Sequence, residues 1–81
     1  MQIRVLAFAR MRELLGAPER TLDLAAGMRV RDAWSALAKL FPALDELAGS
    51  TRIARNGRVG AADDLLTDGD ELALLPPVGG G

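Results

Sequence analysis

The chain has 81 residues, with ten basic against eleven acidic side chains for a formal charge of −1, and contains neither cysteine nor histidine. A chain this short allows one small domain held by packing alone, without disulfides, thiolate or imidazole metal ligands, or the side chains that most often act as nucleophile or general base. Near-neutral charge gives no electrostatic reason to expect nucleic acid or an anionic membrane as partner.

Arg4 interrupts the apolar start, and no stretch approaches the roughly 20 apolar residues that span a bilayer. Neither a signal peptide nor a membrane segment is expected, and the cytoplasm is the expected compartment. Residues Gln2 to Ala9 alternate, with Ile3, Val5 and Ala7 on one face and Leu6 and Phe8 on the other, which predicts a strand apolar on both sides near its end. One side can face a core, and the other needs cover from a further element or another protein. Arg10 to Leu15 reads as a short helical turn closed by Gly16, and Thr21 to Leu24 as a second strand with Leu22 and Leu24 pointing the same way. Gly27 ends that unit.

From Val30 the apolar positions fall at 30, 33, 34, 37, 40 and 41. This recurrence predicts an amphipathic helix with Val30, Trp34, Leu37 and Phe41 as its buried stripe. Arg29 lacks the side-chain acceptor of a good N-cap, and Pro42 ends the helix because it cannot continue the hydrogen-bond ladder. A turn over Ala43 to Ala48 should follow. Arg52 to Arg55 is a short strand running into Asn56-Gly57, a pair suited to the positive φ angles of a type I′ hairpin turn, with Arg58 and Val59 beginning the return. After Leu65 and Leu66, Asp68-Gly69-Asp70 supplies another turn, and Glu71 to Leu75 is the last strand. The order is strand, strand, helix, strand, strand, with no internal repeat.

Pro76 and Pro77 lack backbone N–H groups and favour extended geometry, so they end sheet pairing and direct the remaining residues away from the body. Five residues from Pro77 through Val78, Gly79, Gly80 and Gly81 reach roughly 16 Å at about 3.3 Å each. Glycine has no Cβ, so a narrow channel can close around its backbone and a terminal carboxylate stays open to attack from either side. Such a carboxylate is inert until activated. Adenylation by ATP makes it an electrophile, and replacement of the adenylate by sulfide leaves a thiocarboxylate able to donate sulfur.

Val5 to Gly16 (VLAFARMRELLG), Asn56-Gly57, and Leu66 to Gly81 (LTDGDELALLPPVGGG) carry a resemblance that runs the length of the chain. The sequence resembles the small subunits of molybdopterin synthase, the sulfur carriers of molybdenum-cofactor biosynthesis within the ubiquitin-like β-grasp superfamily. The Pro-Pro-Val step separates it from thiazole-pathway carriers, which share the Asp-Gly-Asp turn and the Gly-Gly end. The resemblance implies an α+β fold with a mixed sheet, residues 1–76 forming the β-grasp domain and 77–81 a flexible C-terminal tail.

The resemblance further implies that an E1-like adenylating enzyme activates Gly81 with ATP and that a sulfurtransferase system converts it to a thiocarboxylate. Residues Pro77 to Gly81 then enter the large synthase subunit and supply sulfur to cyclic pyranopterin monophosphate. The catalytic side chains of such synthases lie on the large subunit, so none is expected in this fold, nor any bound metal or permanent cofactor. The family's hydrophobic partner surface maps to Phe8, Val59 and Leu75, of which Val59 and Leu75 are also core candidates. Relatives carry Ser, Ala or Thr where this chain has Gly79, a change that raises the ordering cost of the tail by up to about 1 kcal/mol without altering the chemistry.

Other features read as structural. Arg10, Arg12 and Glu13 form either a polar rim beside Phe8 or a solvated turn. Asp63, Asp64, Asp68, Asp70 and Glu71 lack the spacing of an EF-hand and read as turn formers and surface charge, and Trp34 reads as core. Three functions compete with the molybdopterin carrier: a carrier for thiazole, cysteine or a tungsten-pterin, a ubiquitin-like modifier that joins Gly81 to target lysines, and a binding domain that ignores its tail. Lys39 is the only lysine, so chains built on the protein itself would have one attachment point.

Overall fold

A computed structural model describes residues 1–60 and 62–76. The elements in chain order are β1 (Gln2–Ala7), α1 (Arg10–Leu15), β2 (Glu19–Asp23), α2 (Val30–Leu40), a 3-10 helix at Pro42–Leu47, β3 (Arg52–Arg55), β4 (Arg58–Val59) and β5 (Glu71–Leu75). The sheet order is β2-β1-β5-β3-β4. β1 and β5 pair in parallel at its centre, and the other neighbours are antiparallel.

This is the expected α+β architecture with a mixed sheet, and three boundaries move. β1 stops at Ala7 rather than Ala9, because Ala9 adopts φ 50° and breaks the extended run. β2 spans Glu19–Asp23 instead of Thr21 to Leu24, and the return at Arg58–Val59 is a separate strand at the sheet edge.

Alternation in β1 buries Ile3, Val5 and Ala7, and alternation in β5 buries Leu72 and Leu74. Opposite them α2 contributes Val30, Ala33 and Leu37, while Met11 and Leu15 of α1 and Leu44 of the 3-10 helix close the same core. Each fully buried Leu or Ile contributes about 1.5–3 kcal/mol relative to its exposed state, and this single cluster holds the domain together.

The predicted stripe of α2 is shifted toward smaller residues. Ala33 is buried, whereas Trp34 and Phe41 pack only partly against the core. Arg29 offers no side-chain cap, as expected, but the Asp32 carboxylate accepts the Arg29 backbone N–H at 2.8 Å. That reciprocal half of a capping box fixes the helix start. Pro42 ends α2 and opens the 3-10 helix as its first residue.

Three turns follow the sequence closely. Gly16 caps α1 with φ 73° and donates its N–H to Arg12 O at 3.0 Å. Asn56 and Gly57 have φ 50° and 85°, the positive pair that a type I′ hairpin needs. Gly69 turns the chain into β5 with φ 87°.

Candidate functional site

Cross-strand partners share a face of a sheet, so the register shows what the face away from α2 carries. Leu6 partners Ala73, Ala73 partners Ala54, and Ala54 partners Val59. These four residues form an apolar row across β1, β5, β3 and β4 on the face opposite Ile3, Val5, Leu72 and Leu74, with Val59 exposed, Leu6 and Ala73 half-buried and Ala54 buried. Leu75 partners Arg52 one step further toward the end of the sheet. One step back, Arg4 partners Glu71 and bridges both Glu19 and Glu71 at 3.2 Å. The row is therefore bounded by paired charge on one side and by Arg52 on the other.

Phe8 and Val59 are 45% and 63% exposed, and Leu75 is half-buried. Val59 is thus not a core residue, Leu75 is partly buried, and Phe8 lies just beyond the end of β1 with its side chain exposed. Sequence reading placed Leu6 on the outward face of β1 with Phe8 but missed Ala54 and Ala73 as its neighbours there. The outward position of Leu6 was visible in the alternation, but only the register joins it to the two alanines.

Beyond the ends of β1 and β5 lies a slot of about 250 Å³ lined by Phe8, Ala9, Arg10, Met11, Leu47, Ser50, Thr51 and Pro76. Pro76, the last described residue of the C-terminal segment, lines the slot. Gly81 and the rest of the proposed tail segment, Pro77, Val78, Gly79 and Gly80, lie outside the described residues. Arg10, Arg12 and Glu13 are all exposed, and of these Arg10 borders the slot.

Ala9 combines φ 50° with ψ −126°. That conformation lies outside the main allowed regions for a residue with a Cβ, at a cost of about 1–3 kcal/mol. It turns the chain abruptly from β1 into α1. The turn is secured by Met11 N–H donating to Phe8 O and Arg12 N–H donating to Ala9 O, both at 3.0 Å. Strain is thereby stored next to Phe8, at the mouth of the slot.

At the opposite end of the sheet Asp70 is buried at 6% exposure, which corrects its reading as surface charge. Its carboxylate accepts hydrogen bonds from Asn56 Nδ2 at 2.9 Å, Thr67 N–H at 2.8 Å, Thr67 Oγ1 at 3.0 Å and Arg55 Nε at 2.9 Å. Burial by itself would raise the pKa of this group. The donors from Asn56, the Thr67 backbone, Arg55 and the Thr67 hydroxyl outweigh it and hold the carboxyl well below the usual carboxylate range. Asp68 behaves differently: it is exposed and accepts Gln2 N–H at 2.6 Å, tying the turn to the start of β1.

An open groove of about 480 Å³ runs between α2 and β3, with Trp34, Ile53 and Thr51 in its lining, and Val59 at the sheet edge borders it as well. Trp34 is therefore a groove wall as well as a partly buried margin of the core. Among the described residues no cluster of three or more His, Cys, Asp or Glu could hold a metal ion, and no helix is long and apolar enough to cross a membrane.

The mixed five-stranded sheet packed on one main helix defines a ubiquitin-like β-grasp protein. Residues 5–81 match the ThiS family. The chain belongs to that family. It is 39% identical to the molybdopterin synthase sulfur carrier subunit of Chlamydomonas reinhardtii, with all of both chains covered. It is also 37% identical to small archaeal modifier protein 1 of Haloferax volcanii, over 91% of this chain and 94% of the relative. Among solved structures, the putative molybdopterin converting factor subunit 1 of Pyrococcus furiosus superimposes with a TM-score of 0.89 at 34% identity, covering 96% of this chain and 99% of that one. A complex of subunits 1 and 2 of the molybdopterin-converting factor from Helicobacter pylori contains a chain that matches with a TM-score of 0.69 at 26% identity, with full coverage of both.

Proposed function

We propose that this chain is the sulfur carrier of a molybdopterin synthase, with Gly81 as its free and reactive end. The observation that supports this reading is the apolar row of Leu6, Ala73, Ala54 and Val59, which shares the sheet with β5, the strand that leads toward the glycine segment. Full-length likeness to carriers of that name, and the two-subunit complex formed by the Helicobacter pylori relative, support a large synthase subunit as the partner.

In this reading the Gly81 carboxylate attacks the α-phosphorus of ATP on an E1-like adenylating enzyme, forming the acyl adenylate and releasing pyrophosphate. A sulfide equivalent from a sulfurtransferase attacks the acyl carbon, AMP leaves, and a thiocarboxylate remains. The apolar row and Phe8 dock on the large subunit while Pro77 to Gly81 enter its active site. Sulfur passes to the pterin precursor, and water restores the carboxylate. This chain supplies reach, slimness and a docking face, and the partner supplies the acid and base groups.

Intact mass spectrometry after incubation with ATP, a sulfide source and the cognate adenylating enzyme tests the reading. One oxygen exchanged for one sulfur at Gly81 is expected, and its loss on removal of Gly80 and Gly81. An unchanged mass with an active adenylating enzyme overturns it. The likeness to a small archaeal modifier protein favours a second reading, in which activated Gly81 forms isopeptide bonds with lysines of other proteins. A ladder of conjugates in cells that disappears when Gly81 is deleted would establish that use.

A further inference from the structure

The Val59 end of the docking row rests on the weakest part of the sheet. β4 has only two residues, pairs only with β3 and lies at the edge. Its ladder consists of Ala54 opposite Val59 and Arg55 opposite Arg58, continued by Gly60 N–H donating to Ile53 O at 3.1 Å. A two-stranded ribbon of this length is marginal by itself in water. What fixes it lies outside the ribbon.

Two residues of the β3–β4 hairpin, Arg55 and Asn56, donate side-chain hydrogen bonds to the buried Asp70 carboxylate. The Asn56 side chain also accepts the Glu71 N–H at 2.9 Å, and its own backbone N–H donates to Glu71 O at 2.8 Å. The far side of Asp70 is anchored by Thr67, and the Asp70 carbonyl accepts Arg4 N–H at 2.9 Å, joining the turn to β1. Asp70 therefore ties the turn end of the hairpin to the two central strands, while the segment after β4 is held to α2 by Arg31 N–H donating to Ala62 O and Val30 N–H to Asp64 O. No atom of Asp70 is on the docking face.

We propose that Asp70 is a positioning residue for partner docking: through Arg55 and Asn56 it holds the β3–β4 hairpin so that Val59 completes the apolar row. The proposal rests on the reading of that row as the surface that meets the large synthase subunit. It separates the row into two halves, one carried by β1 and β5 and indifferent to Asp70, the other carried by the hairpin and dependent on it.

A double-mutant cycle on the full chain, with the purified large molybdopterin synthase subunit from the same source as probe, tests this. Val59→Ala is expected to weaken binding about tenfold, as truncation of a contributing apolar contact does. Asp70→Asn is expected to weaken it by a similar factor, and the double variant no further than either single one. Phe8→Ala, on the other half, should multiply with Asp70→Asn. Asn56→Gly keeps the positive φ of the turn while deleting the amide that reaches Asp70, so it serves as a second variant should Asp70→Asn not fold. It should also speed hydrogen exchange at Gly60 N–H more than at the amides of β1. Unchanged affinity in both Asp70→Asn and Asn56→Gly, or effects of Val59 and Asp70 that simply multiply, overturns the proposal while the docking face stands. Failure of the unmodified chain to bind the large subunit removes both.

Discussion

The guanidinium of Arg20 lies over the ring of Phe41, 4.9 Å from its centroid. Its Nε donates to Leu15 O at 2.7 Å. One side chain from edge strand β2 thus stacks on the end of α2 and satisfies a carbonyl at the end of α1, which leaves Phe41 as its platform rather than a core residue. Replacement by alanine removes the stacking and the bond, and a loss of about 1–2 kcal/mol is expected. Thermal denaturation should show a fall of roughly 5–10 °C for a domain of this size. Arg20→Lys should recover little, because an ammonium has no plane to lay on the ring.

Asp70 predicts a specific response to acid. Its folded-state pKa is depressed, so its contribution to stability is complete above the unfolded value of about 3.9 and is lost as pH falls through the folded value. Asp70→Asn leaves neutral groups around Arg55 and should cost about 2–4 kcal/mol at pH 7. Urea titrations at a series of pH values should show the wild-type and variant stabilities converging below about pH 4. A constant gap down to the lowest pH would mean that the charge on Asp70 is not what matters.

Ala9→Gly should separate stability from docking. Glycine accepts the backbone angles of Ala9 without a Cβ clash, so the variant is expected to gain up to about 1 kcal/mol despite its greater unfolded-state entropy. The same freedom releases Phe8 from its fixed outward pose, and binding to the large subunit should weaken. Calorimetric unfolding and a binding titration on the same sample read the two effects independently.

Leu74 and Val59 give opposite controls. Leu74 is wholly buried, and Leu74→Ala should cost about 2–5 kcal/mol of stability through lost packing and the cavity left behind. Val59→Asp places a charge where solvent already reaches, so stability should change by less than about 0.5 kcal/mol while docking is abolished. Equal stability losses in the two variants would remove Val59 from the open face.

Much of this architecture was legible because local chemistry and fold agree. Gly16, Asn56-Gly57 and Gly69 each mark a turn whose positive φ the sequence anticipates, and the alternation of Ile3, Val5 and Ala7 gives the inward face directly. What was not legible depends on distance between elements. Nothing in the spacing of α2 reveals that Ala33 is wholly buried while Trp34 lies at the core margin beside the groove. Asp70 reads as a turn residue because Asp-Gly-Asp is a turn; its burial follows from Arg55 and Asn56 arriving from another hairpin. The face formed by Leu6, Ala73, Ala54 and Val59 requires a register between strands that are far apart in sequence, and alanines give no hint of it.

The parallel pairing of β1 with β5 has a bearing on biosynthesis. The middle of the sheet is made from residues 2–7 and 71–75, so the core of this protein closes only after nearly the whole of the described chain has been synthesised. A polypeptide broken off before residue 71 lacks the central strand, leaves Ile3 and Val5 uncovered on one flank, and presents itself to proteases as unfolded. Folding competence is thus coupled to completion of β5, and chains broken off before residue 71 are expected to be degraded rather than to accumulate.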